Sequence, residues 1–157
     1  MKKLVIYYSF SGNTRNIAKQ IARALKASIA EIHTVKAYPD DYDVLLGLGK
    51  REVESGYMPQ IVPLTVDISK YDTIIIGTPI WWSSFAPAMK KFLASNSWKG
   101  KKVYTFATYT ETIGHVGSDF KKALRGASLE APFGIKYDEK KLVTPIPEIR
   151  AWLSKIQ

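Results

Sequence analysis

Leu4-Val5-Ile6-Tyr7-Tyr8-Ser9-Phe10-Ser11-Gly12-Asn13-Thr14 is the stretch that decides the fold. Its first five residues form an unbroken apolar run, the pattern of a central parallel strand covered on both faces. The run stops abruptly in hydroxyl residues, one glycine and one asparagine. A helical pattern then follows from about Thr14 to Lys26, in which Ile17, Ile21 and Leu25 recur at every fourth position beside Ala18 and Ala22. That spacing gives one apolar face directed at a sheet. Strand, polar loop and helix in this order make the first half of a right-handed crossover unit.

The same alternation continues outward from this unit. Ile29 to His33 reads as a short edge strand, and Tyr42 to Glu54 as a helix weakened by Gly47 and Gly49. Gly56 to Pro59 reads as a turn. Tyr71 to Gly77 is a strongly β-branched strand, followed by a helix that begins at Pro87 and buries Met89, Phe92 and Leu93. Val103 to Ala107 is a fourth strand. The next helix, about Gly117 to Arg125, presents Val116, Phe120 and Leu124 inward, with Gly126 as its C′ residue. A weak fifth strand lies within Ser128 to Tyr137, and a last helix from Pro147 buries Ile149, Trp152, Leu153 and Ile156. Five strands alternating with helices imply an α/β fold, a single doubly wound five-stranded parallel sheet. No linker, repeat or low-complexity tract divides residues 1–157, so one domain is expected.

Composition narrows the chemistry. The 157 residues include no cysteine, which removes disulfides, thiol nucleophiles and cysteine-held metals or clusters. Met1-Lys2-Lys3 precedes an apolar run too short for a signal peptide or a membrane span. A cytoplasmic protein with no membrane insertion is expected. The net charge of +9 is scattered over several helices without an aromatic-interleaved basic stripe. It reads as solvated helix faces with some attraction to acidic partners rather than a nucleic-acid surface.

Ligands of doubly wound sheets sit at the carboxyl ends of the strands, so three loops matter. The first, Ser9-Phe10-Ser11-Gly12-Asn13-Thr14, combines hydroxyls, backbone N–H groups and a helix N-terminus into an anion site that needs no lysine. Its bland alternative is ordinary helix capping. The second, Thr78 to Pro87, brings Trp81, Trp82 and Phe85 to the end of the third strand. A planar heteroaromatic ligand would explain them; alternatively one tryptophan packs under the loop and only the other is free. The third loop, Ala107 to His115, offers Tyr109 as a second wall and backbone groups near Thr108, Thr110 and Gly114. His115 reads either as a ligand contact or as a surface or capping histidine. His33 lies elsewhere, and two separated histidines make no metal site.

Competing phosphate signatures are missing. There is no G-x-x-x-x-G-K-[ST] and no G-x-G-x-x-G after the first strand. A phosphoacceptor receiver domain would need acidic residues where Tyr7 and Tyr8 stand.

The first two loops together resemble the flavodoxin family. Ser9 to Thr14 matches its [ST]-x-[ST]-G-x-T fingerprint, and Gly77-Thr78-Pro79-Ile80-Trp81-Trp82 with Ala86-Pro87 resembles the ring-binding loop of a short-chain branch. Arg51 to Pro59 is similar to that branch as well. The resemblance implies a sheet of strand order 2-1-3-4-5 and noncovalent FMN. The phosphate would lie on Ser9, Phe10, Ser11, Gly12, Asn13 and Thr14. The ring would lie between Thr78, Pro79, Ile80, Trp81 and Trp82 on one side and Thr108, Tyr109, Thr110, Gly114 and His115 on the other. It further implies an electron carrier between redox partner proteins, and the net charge of +9, atypical of such carriers, points to acidic ones. A reductase using NAD(P)H and a quinone or azo compound is the alternative, and a third is an interaction module, flavin-dependent or flavin-free, whose exposed aromatics contact a protein. Two departures stand out: the third loop carries Tyr109 to Thr112 where the branch is usually rich in glycine and serine, and the second loop has no glycine between Thr78 and Pro87. The missing glycine implies weak stabilisation of a one-electron-reduced flavin.

Overall fold

The computed structural model describes residues 2–156. Its elements run β1 (Lys3–Tyr8), α1 (Asn13–Leu25), β2 (Ser28–Ile32), α2 (Tyr42–Ser55), β3 (Thr73–Trp81), β4 (Ser84–Phe85) and α3 (Pro87–Ala94). They continue with β5 (Lys102–Tyr109), α4 (Val116–Ala123), β6 (Ser128–Leu129), β7 (Phe133–Asp138), β8 (Lys141–Leu142) and α5 (Ile146–Leu153). The sheet order is β2-β1-β3-β5-β7-β8, with β4 paired to β3 and β6 to β5. The five long strands are parallel in the expected 2-1-3-4-5 order, as β2-β1-β3-β5-β7.

Alternation along the strands divides the core between two helical layers. Leu4, Ile6, Ile74 and Ile76 face Met89, Phe92 and Phe120 of α3 and α4. Val5, Tyr7 and Ile75 face Ile17 and Ile21 of α1 and Ile149 and Trp152 of α5. At about 25 cal/mol per Å² of apolar surface, these two layers are the main favourable term holding the sheet.

Three features differ from expectation. The fifth strand is broken into β6 and β7, both parallel to β5, across Glu130-Ala131-Pro132. Pro132 has no N–H to donate to a ladder. The third strand does not end at Gly77 but continues to Trp81. It turns at Trp82-Ser83 and returns as antiparallel β4, pairing Ile80 with Phe85 and Trp81 with Ser84. Finally, α4 closes at Leu124 rather than Arg125, and Gly126 (φ +89°) lies in the loop beyond, its carbonyl accepting from the Gly100 N–H.

Candidate functional site at the carboxyl ends of β1, β3 and β5

The loop after β1 is built around the buried Ser9. Its Oγ accepts the N–H groups of Gly12 and Arg15, each at 3.2 Å, which folds Ser9 to Gly12 into a tight turn. Gly12 sits at the N-cap of α1 with φ +104°, a left-handed conformation that a side chain would oppose. Having no side chain, it caps nothing. Ser9 thus takes one first-turn donor of the 13-residue helix, that of Arg15, while among the described residues no side chain takes the N–H groups of Asn13 or Thr14. The Thr14 hydroxyl points inward instead, 2.8 Å from that of Thr108 on β5, both groups buried. The Asn13 side-chain nitrogen donates to the Glu139 carbonyl at 2.7 Å, while its Oδ1 is buried without a partner.

Arg15, the cation next to this loop, is committed elsewhere. It pairs with Glu31 through Nη2–Oε2 at 2.6 Å and Nε–Oε1 at 3.2 Å, and Tyr7 donates to the same carboxylate at 2.6 Å. Burial, reinforced by the hydrogen bond to Glu31, pushes the Tyr7 phenol up to about 12, so it remains a donor.

The β3–β4 hairpin resolves the two tryptophans. Trp81 is held edge-on by Tyr38, Tyr8 and Phe10, with ring centroids at 5.0, 6.1 and 6.2 Å. Trp82 turns outward and is 45% exposed. Its indole N–H donates to the Leu46 carbonyl of α2 at 3.0 Å, and Lys50 Nζ lies 5.4 Å from its ring. The turn that separates them holds Trp82 at φ +50° and Ser83 at φ +70°. A two-residue hairpin turn of this kind is usually Asn-Gly, so two ordinary side chains here store local strain.

These parts surround one open cleft of about 670 Å³. Phe10 and Ser11 line it from the first loop, Pro79, Ile80, Trp81 and Trp82 from the hairpin, and Tyr109 and Thr110 from the third loop. Tyr42, Leu45, Leu46 and Gly49 of α2 close another side. This α2 wall is not legible from local sequence, because the helix is short of apolar periodicity.

Other expected contacts lie around the cleft rather than in its lining. Thr78 is fully buried, its hydroxyl accepting the Ala86 N–H at 3.1 Å and donating to the Pro79 carbonyl at 2.9 Å, so it locks the hairpin base. Gly114 (φ +58°) packs so closely on Ser83 that a Cβ would lie 2.4 Å from its Cα; it joins the second and third loops backbone to backbone. His115 donates its backbone N–H to the Ser83 carbonyl at 2.8 Å. Its ring faces away, with Nδ1 2.6 Å from Asp119, which also accepts from Ser84 at 2.5 Å. His115 therefore lines a separate cavity of about 520 Å³ with Tyr57 and Lys90.

The residues present suit a flavin mononucleotide. The Asn13 and Thr14 N–H groups at the start of α1 can serve an anion, the orphaned Asn13 Oδ1 can accept from a sugar-alcohol hydroxyl, and an aromatic slot begins beside them at Phe10 and Ser11. No helix among the described residues is long and apolar enough to cross a membrane.

Comparison with known proteins agrees. The flavodoxin family model matches residues 2–153. A Bacteroides eggerthii protein assigned as a flavoprotein superposes with a TM-score of 0.82 at 28% identity, covering 99% of this chain and 97% of that one. A Lactobacillus acidophilus flavoprotein, solved in complex with FMN, gives 0.73 at 25% identity over 85% of this chain and 92% of its own. The NAD(P)H dehydrogenase (quinone) 3 of Rhizobium meliloti is 31% identical over 124 residues, 76% of this chain. That match spans 51% of the relative, so the chain corresponds to about half the length of the curated relatives it resembles. The chain belongs to the flavodoxin family.

Proposed function

We propose that this flavodoxin-family chain binds FMN at the ends of β1, β3 and β5 and carries electrons between redox partners in the cytoplasm. The observation that carries this reading is the aromatic cleft, which runs up to Phe10 and Ser11 of the loop that opens α1. The phosphate is received by the N–H groups at the start of α1 and by Ser11, with Ser9 and Gly12 shaping the turn. Thr14 and Thr108 hold that turn to the sheet. Asn13 stands beside the phosphate where the sugar-alcohol chain leaves it. Trp81, braced on three sides, and Tyr109 form the walls of the ring site, and Trp82 with α2 excludes water from one edge. FMN, when bound, supplies reversible one- and two-electron chemistry; the protein tunes it through burial and contacts at the ring. The net charge of +9 favours encounter with acidic partners.

A second reading is an NAD(P)H-dependent quinone reductase. It is favoured by the names of the curated relatives and by the open cleft beside the exposed Trp82, which leaves room for a planar substrate. Titration of the protein with FMN, FAD and riboflavin, read by flavin fluorescence, tests the binding claim. NADH oxidation by the loaded protein with and without a quinone separates carrier from reductase: sustained turnover without a partner protein favours the reductase.

A further inference from the structure

The turn between β7 and β8 reaches across the sheet to the phosphate loop. Asp138 pairs with Lys141, leaving Glu139 and Lys140 as a two-residue tip. Glu139 adopts φ +53°, which a non-glycine residue takes only at a cost. In return its carbonyl accepts from Asn13 at 2.7 Å. Beside it, Lys140 Nζ donates to the Ser11 carbonyl and lies 3.7 Å from where a Gly12 Cβ would be. Two hydrogen bonds thus bridge separations of 126 and 129 residues onto the same short loop. Lys140 takes part in neither ion pair found among the described residues, whereas Arg15 is neutralised by Glu31. An ammonium group with no carboxylate partner among the described residues therefore stands beside the start of α1, held there by a carbonyl that an anion can replace.

We propose that Lys140 is a phosphate-recognition residue, and that the β7–β8 turn is a clamp selecting the phosphorylated flavin over the unphosphorylated one. The inference rests on the FMN reading and adds to it a cation from a distant hairpin. When a phosphate dianion enters, Nζ leaves the Ser11 carbonyl and pairs with the phosphate oxygens. The Asn13–Glu139 bond keeps the turn in place. A neutral ribityl terminus offers Lys140 no charge, so its affinity is indifferent to this residue.

The test is parallel fluorescence titration of wild type, Lys140→Met and Lys140→Arg with FMN and with riboflavin, at low and at moderate salt. Lys140→Met is expected to weaken FMN binding by about tenfold or more and to leave riboflavin within about twofold, as loss of one charge-assisted contact demands. Its FMN affinity should also depend less on salt, and Lys140→Arg should restore much of the loss. Both variants keep the backbone bond from Asn13, and matching circular dichroism confirms the fold. An unchanged FMN affinity in Lys140→Met, with wild type still preferring FMN over riboflavin, overturns the clamp and leaves the cofactor reading intact. Equal loss for both flavins also overturns it, since that marks a packing role. Wild type that binds no flavin overturns both.

Discussion

The hydroxyl groups of Thr14 and Thr108, 94 residues apart in the chain, lie 2.8 Å from each other in the buried seam where α1 meets β5. This bond ties the loop proposed to receive the phosphate to the strand that carries the third loop. Replacing either residue by valine leaves a buried hydroxyl without its partner, at a cost of about 1–3 kcal/mol. Thr14→Val and Thr108→Val should each lower the urea midpoint. The double variant should lose less than the sum of the two, because both polar groups are then gone. Strict additivity would show that the bond is not made in solution.

The two tryptophans should behave differently. Trp81 is braced by Tyr8, Phe10 and Tyr38, whereas Trp82 is tied to α2 through one indole N–H. Trp81→Ala is expected to cost about 2–4 kcal/mol of stability and to weaken FMN binding as well. Trp82→Phe should cost about 1 kcal/mol and act chiefly by loosening α2. Urea denaturation with flavin titration separates the two, and the reverse order would refute the assignment.

At the hairpin turn, Ser83 holds φ +70° without being glycine. Ser83→Gly should therefore stabilise the protein by about 0.5–1 kcal/mol. Stepwise reduction gives a second readout. With side chains at both turn positions, a peptide reversal near the ring is costly, so wild type should trap little one-electron-reduced flavin and Ser83→Gly more. A larger amount in wild type than in the variant would contradict this.

Glu31 gives the pH dependence. Burial alone would raise its carboxyl, but the hydrogen bonds from Arg15 and Tyr7 outweigh that and hold it below the ordinary value. A carboxyl depressed in the folded state contributes stability above its unfolded pKa and loses it as pH falls through the folded one. Stability should therefore drop as the pH is lowered below about 4.5. Glu31→Gln should be less stable than wild type at pH 7 by about 1 kcal/mol and should show a flatter acid limb. Parallel acid limbs would mean that the Arg15–Glu31 pair is not formed.

The order of the long strands and the buried faces of α1, α3 and α5 were legible because periodicity and β-branched runs are local properties of the chain. The polar turn between β1 and α1 was legible for the same reason: Ser9 to Thr14 is contiguous. The rest of the site was not. Nothing near Asp138 to Lys141 in sequence indicates that Glu139 and Lys140 meet Ser11 and Asn13, because a hairpin's reach is set by the sheet and not by its own residues. The antiparallel return of β4 was hidden because its turn, Trp82-Ser83, lacks the glycine or asparagine that usually marks one. His115 belongs to the expected loop, yet its ring turns toward Asp119 once Gly114 packs on Ser83.

The central claim is that the loop from Ser9 to Thr14 receives a flavin phosphate. Its most direct test is a side-by-side titration of the wild-type protein with FMN and riboflavin, which differ only in that phosphate. FMN should bind at least about a hundredfold more tightly, equivalent to about 2.7 kcal/mol. Equal affinities, or no binding of either, would contradict the account and reduce the loop to a helix start.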